Sequence, residues 1–311
     1  MLNSICVSKV GASHLKDGKP LQDSAKVLLT KGYSIFSVAD GHGGEKYFRS
    51  QYGSKIAVEL AEREFSALLQ KFAQLDKDNS QINWDSTISN LERNIVAKWK
   101  RAVKNHFKKN PFSEKEKELC QNLNIPLTKF DYINGNRDAN TVSDAQKLKS
   151  PENTIEKLYG TTLISCLYIP TLQITKANEG ALWIAIQIGD GICLVKKSNG
   201  EIVTPIKDDE EQGFGMTKSL CSNNASNDFR HTFGFDKLQY ICACSDGVQD
   251  SFTLDGLKSF TNDIYQNIKE YGAEREQQEL EDFFPRLSEK GSGDDVSLAG
   301  VFITENKQGA K

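Results

Sequence analysis

The chain has 311 residues, 38% hydrophobic and 26% charged, which supports a sizeable core and excludes global disorder. Its 39 basic and 42 acidic residues leave a net charge of −3, which gives no electrostatic case for a nucleic-acid partner. Seven cysteines with no C-x-x-C pair exclude a disulfide framework and a cysteine-based zinc site, and read as reduced thiols.

The opening residues Met1 to Cys6 lack a basic n-region and a long apolar core. No later stretch approaches the roughly 18 apolar residues of a membrane helix, so the expectation is a cytoplasmic protein with no membrane partner. Residues 1–40 read as strand, polar loop and strand, with Lys16, Asp17, Gly18, Lys19 and Pro20 in the loop. From Glu45 the period changes. Phe48, Tyr52, Ile56 and Leu60 fall four apart and lead to Phe65, Leu68, Leu69 and Phe72, the apolar stripe of a helix. The polar run 76–83 breaks it. That run is not a calcium loop, because Gln81 stands where the turn glycine belongs and Thr87 where the bidentate Glu belongs.

A second helix is predicted from Asp85, as N-cap, to His106. Its basic run from Lys98 to Lys109 reads as a solvated helix face, since no aromatic pattern suited to bases accompanies it. Residues 108–156 read as an irregular polar insertion with one short helix at 114–123. Strands are predicted at 161–169, 181–196 and 238–245, a helical segment at 254–286, and a closing strand at 295–304. The whole reads as one domain, 1–311.

Three apolar runs end in Asp-Gly: 33–41, 182–191 and 239–247. A carboxylate at the end of a buried strand costs several kcal/mol unless it is paired or binds a metal. A glycine after it lets another group approach the backbone closely. The strongest local pattern, Asp40-Gly41-His42-Gly43-Gly44, lies between a strand and a helix. Taken alone it is either a tight turn with an incidental histidine or a ligand loop. Further acids arrive in Gln22-Asp23, in Ser245-Asp246-Gly247 and in Gly293-Asp294-Asp295. Acidic ends from four chain regions, without a His/Cys cluster, suit Mg2+ or Mn2+.

In this order the motifs resemble the metal-dependent protein serine/threonine phosphatases of the protein phosphatase 2C type. The resemblance runs from Gly11 to Thr304. It rests on Asp40-Gly41-His42-Gly43-Gly44, Gly160-Thr161-Thr162-Leu163, Ile188-Gly189-Asp190-Gly191, Ser245-Asp246-Gly247 and Asp294-Asp295-Val296-Ser297. It implies an α/β fold in four layers, α-β-β-α, with two mostly antiparallel sheets and the metals at one end of the sandwich. It implies two Mg2+ or Mn2+ ions, with a third in some members. Asp40 would bridge the two and Gly41 would add a carbonyl to one. Asp246 and Asp294 would hold the other, and Asp23 would coordinate directly or through water. His42 would be the general acid. The partner implied is a phosphoprotein substrate, with no nucleic acid, and the chain a monomer.

The chain departs from the family at several positions. Gln22 stands where a Glu precedes the Asp. The phosphate-binding Arg would fall at Gly18, so another cation must serve: Lys16 first, His14 second, with Lys19 and Arg49 as further candidates. Glu156 is the acid nearest the place of the third-metal ligand. Asp190 reads as a turn carboxylate rather than a ligand. Two rival functions stay open: a catalytically silent relative that binds a phosphoprotein, and a two-metal hydrolase of nucleotides or nucleic acid.

Overall fold

Strand side chains alternate between two faces, and here the two faces of each sheet feed different cores. On β3 (Ser34–Ala39), Ile35 and Ala39 join one core while Phe36 and Val38 join another. This computed structural model describes residues 1–74, 82–125, 127, 155–173, 179–207 and 217–305. Most of the run 76–83 and most of the insertion 108–156 lie outside the described residues. Among the described residues no helix is long and apolar enough to cross a membrane.

The first sheet has the order β2-β3-β4-β5-β8, with β2 at Ser24–Leu29, β4 at Leu163–Gln173, β5 at Glu179–Ile188 and β8 at Arg230–Gly234. The second has the order β1-β10-β9-β6-β7, with β1 at Leu2–Lys9, β10 at Val296–Ile303, β9 at Leu238–Cys244, β6 at Ile192–Lys197 and β7 at Ile202–Val203. Every pairing is antiparallel. Phe36, Ile164, Cys166, Cys193, Ile241, Ala243, Ala299 and Val301 fill the space between the sheets.

Helices α2 (Ser50–Gln74) and α3 (Trp84–Lys109) cover the outer face of the first sheet through Ala57, Ala61, Phe65, Ile88, Ile95 and Trp99. Short helices α4 (Glu114–Asn122), α5 (Ile155–Leu158), α6 (Ala225–Asp228) and α7 (Asp246–Gln249) follow in the chain. Helices α8 (Leu254–Tyr271) and α9 (Ala273–Lys290) cover the second sheet through Leu257, Ile264, Leu280 and Phe284. The four-layer expectation holds. Cys242 and Cys244 share a face of β9 and are core residues.

Three local expectations change. The loop at 16–20 begins as a helical turn, α1 (Ala12–Asp17), ended by Gly18 at φ +66°. The N-cap of α3 is Asn83, whose side chain accepts the Ser86 N–H, rather than Asp85. The run 181–196 is two strands in different sheets. Gly189 and Gly191, at φ +93° and +81°, turn the chain from β5 to β6 around Asp190. The basic run of α3 is also more occupied than a solvated face. Lys98 pairs with Glu64 at 2.6 Å, Lys104 with Glu156 at 2.8 Å, and Lys100 donates to the Ser222 carbonyl.

Antiparallel pairing fixes where the acids go. Ser24 pairs with Ala39, Val38 with Ile164, and Leu163 with Ile188. The start of β2, the end of β3, the start of β4 and the end of β5 therefore share one edge of their sheet. In the other sheet Leu298 and Ile192 both pair with Cys244. Asp23, Asp40, Asp190, Asp246, Asp294 and Asp295 each adjoin one of these ends.

Candidate functional site

Asp40 follows the last residue of β3, and the chain around it is clamped by the segment before β4. The Asp40 N–H donates to Thr162 Oγ1, while Thr161 Oγ1 and the Thr162 N–H donate to the Asp40 carbonyl at 2.7 and 2.9 Å. Gly41 bridges Thr161, and a Cβ there would stand 2.4 Å from the Gln22 carbonyl oxygen, so only glycine fits. The His42 N–H donates to the Gly160 carbonyl, and its ring packs against Tyr47 with centroids 4.7 Å apart. A Cβ on Gly160 would strike that imidazole. The Gly-Thr-Thr motif thus acts as the backing plate of the Asp-Gly-His loop.

Carboxylates converge on this loop. Oxygens of Asp40, Asp190 and Asp246 lie within 4.8 Å of one another. Burial raises the Asp40 carboxyl well above its ordinary range, and Asp23, Asp246, Asp190 and Asp294 raise it further. Asp23 is 4% exposed, and its Oδ2 has no hydrogen-bond partner. Burial and then Asp295 push it up to about 8, against hydrogen bonds from Ser297 and Ser245. Asp246, at the start of α7, rises to about 7 through burial, Asp190 and Asp294, although the Gly247 N–H donates to its Oδ1. Anions crowded in this way favour a bound cation. The donor set is all oxygen, with Asp23 Oδ2, Asp190 Oδ1 and Gln22 Oε1 buried and unsatisfied, and it fits a hard divalent ion.

Asp294 stands somewhat apart. It groups with His14 and Asp295: its Oδ1 accepts the Asp295 N–H and lies 3.7 Å from His14 Nε2, and its side chain is 49% exposed. Asp295, 2% exposed, accepts from the Gly11 and Gln22 N–H groups at 2.6 Å each, from His14 Nδ1 at 2.9 Å and from the Asp23 N–H at 3.3 Å. Burial would raise its carboxyl, but the bonds from His14, Gly11 and Gln22 outweigh this and hold it low. The same bond leads in raising His14 above its ordinary value, against burial. Sequence reading gave Asp295 no role, because all of its donors lie more than 270 residues away in the chain.

The cation candidates separate. Arg49 is 3% exposed and bound to Glu116 by Nε at 2.6 Å and Nη2 at 2.9 Å, so it is a structural clamp. Glu156 is taken by Lys104. Lys16 is exposed on α1, whereas Lys19 Nζ donates to the Gly43 carbonyl at 3.0 Å. Gln22 Nε2 donates to Ser50 Oγ at 2.6 Å, and the Gln22 Oε1 is left buried toward Gly43. Burial pushes His42 down to about 4; nearby Asp190 opposes this, and Lys157 and Lys46 add to it.

Residues 10–285 match the family model described as protein phosphatase 2C. No individual curated protein matches the sequence. Among solved structures the chain is similar to a bacterial serine phosphatase at 14% identity and a TM-score of 0.53, covering 99% of this chain and 100% of that one. It is similar also to the Mycobacterium tuberculosis serine/threonine phosphatase PstP/Ppp, at 13% identity and a TM-score of 0.50, covering 98% and 99%. A C. elegans sex determining protein aligns over 97% of this chain and 64% of its own, at 14% identity and a TM-score of 0.51. At these identities the likeness is one of fold.

Proposed function

The chain belongs to the protein phosphatase 2C family, and from that membership we propose that it removes phosphate from phosphoserine and phosphothreonine in proteins with the help of two Mg2+ or Mn2+ ions. The observation that carries this reading is the convergence of Asp23, Asp40, Asp190, Asp246 and Asp294, whose strongest mutual effect is repulsion. Asp40 and the Gly41 carbonyl are the proposed holders of one ion. Asp40, Asp246 and Asp294 are those of the other, with Asp23 behind both. When bound, such ions supply positive charge to the phosphoryl group and an activated water for in-line attack.

The chain's own residues do the rest. Gln22 Oε1, a buried acceptor, is suited to orient a water. His42 donates a proton to the departing serine or threonine oxygen. Burial keeps its imidazole neutral in the free protein, and a phosphate dianion beside it favours the charged form again. The 14–19 segment supplies the phosphate's cationic partner. Lys19 is the better placed lysine because it is already fastened to the His42 loop, whereas Lys16 is exposed on α1 and His14 is committed to Asp295.

The test is turnover of para-nitrophenyl phosphate and of a phosphothreonine peptide, with Mn2+ and with EDTA. Wild type is expected to turn over both only with metal. Asp40→Asn should lose that activity with its secondary structure intact, because Asp40 would supply negative charge to both ions. Near wild-type turnover in the variant would overturn the assignment. Gln22 and the missing phosphate Arg favour one second reading, a silent domain that binds phosphoprotein; stoichiometric peptide binding without turnover would establish it instead.

A further inference from the structure

Asp190 sits on a turn held by more restraints than a turn requires. Gly189 and Gly191 both adopt positive φ. Gln187 Nε2 donates to the Gly189 and Gly191 carbonyls at 3.3 and 2.9 Å, and Arg230 Nη2 donates to the Gly189 carbonyl at 2.7 Å. Thr217 Oγ1 donates to Asp190 Oδ2 at 3.0 Å. None of these bonds needs a negative charge on Asp190, since the amide oxygen of an asparagine would accept from Thr217 equally well.

The second oxygen is the unexplained one. Asp190 Oδ1 is buried without a partner, and the Asp190 carboxylate faces those of Asp40 and Asp246 within 4.8 Å. A buried, unpaired carboxylate oxygen set against two like charges is costly. Independently, the 96%-buried side chain of Asp23 leaves its own Oδ2 unpartnered within the same group of interacting acids. Asp294, by contrast, is drawn toward His14 and Asp295.

We propose that Asp190 is a direct ligand of the divalent cation held by Asp40 and Asp246. The inference rests on the metal-dependent reading above and adds to it a ligand that the motif pattern does not assign. If Asp190 is only a turn residue, replacing it loosens the turn and leaves metal binding alone. If it is a ligand, removing its charge relieves repulsion in the metal-free protein and weakens metal binding.

The experiment is calorimetric titration of the metal-stripped full chain with MnCl2, together with its melting temperature before and after metal, for wild type and Asp190→Asn. The expected result is Mn2+ affinity lowered about 10–100-fold, with a metal-free melting temperature equal to or above that of wild type. Wild-type affinity in the variant, or a fall in its metal-free melting temperature with affinity kept, overturns the inference alone. A wild-type chain that takes up no Mn2+ overturns the metal-dependent reading and this inference with it. Should the Asn variant not fold, Asp190→Ser is read by the same two measurements.

Discussion

Asp295 and Asp294 are neighbours in sequence with opposite environments. Asp295 is spent on four donors from Gly11, His14, Gln22 and Asp23, which ties the first turn of the chain to the last strand. Four N–H donors on two oxygens suit a carboxylate, whereas the amide of an asparagine would turn one donor against another donor. The pair Asp294-Asp295 was legible in the sequence as acids on a glycine-rich loop. Which of the two is buried was not, because that depends on backbone N–H groups brought in from the other end of the chain. The nearness of Asp190 to Asp40 and Asp246 was hidden for a related reason: a Gly-Asp-Gly turn looks self-sufficient until the pairings of β5 with β4 and of β6 with β9 are known. His42 was readable from its motif, and its expected behaviour is specific. As a general acid, its loss in His42→Ala should lower the rate on a phosphothreonine peptide by about 10²–10⁴. Para-nitrophenyl phosphate, whose leaving group hardly needs a proton, should be affected far less. Equal losses on the two substrates would mean that His42 only supports the loop.

Among the elements, the long helices and the apolar strands followed from periodicity, since their stripes and alternations are strong. The strand β8 (Arg-His-Thr-Phe-Gly) did not, because a polar edge strand beside β5 carries little apolar signal. The helix α1 was hidden by its brevity and by a cap, Gly11, that makes no side-chain hydrogen bond. The capping box of α4, Ser113 with Glu116, serves a second purpose, because the same Glu116 holds Arg49 at the head of α2. Arg49 Nη1 also donates to the Tyr159 hydroxyl, one residue before the Gly160 that supports His42. Burial alone would raise the Glu116 carboxyl, but Arg49 and the Ser113 N–H outweigh it and hold it below its ordinary value of 4.5. A depressed carboxyl contributes stability that is fully present above the unfolded-state value and is lost as pH falls through the folded one. The melting-temperature gap between wild type and Glu116→Gln should therefore be open at neutral pH and should close as pH falls below 4.5 and through the folded-state value. A gap that persists unchanged in acid would show that the ion pair contributes nothing.

For the whole molecule, the two sheets carry their acids to a common edge, so the metal-free protein bears concentrated like charge where its layers meet. Metal that binds only the folded form should raise its stability by mass action, by about 2.7 kcal/mol at a hundredfold excess over Kd. Thermal melts in Mn2+ and in EDTA check this. A melting temperature indifferent to both would argue against a cation at this edge. The layer order and this gathering of acids could be anticipated from motif order. The division of 181–196 between the two sheets could not, since it turns on glycine dihedrals rather than on polarity.

The pairing of β1 with β10 has a mechanical consequence. Leu2 lies opposite Ile303 and Lys9 opposite Val296, with the Thr304 N–H bonded to the Met1 carbonyl. A tension applied between Met1 and Thr304 acts across the ladder rather than along it, so the two strands peel apart rung by rung instead of shearing together. The peel begins at the far end of the sandwich and reaches the rung Lys9–Val296, beside Asp294 and Asp295, last. A load carried through these two points opens the second sheet while the acid edge is still closed.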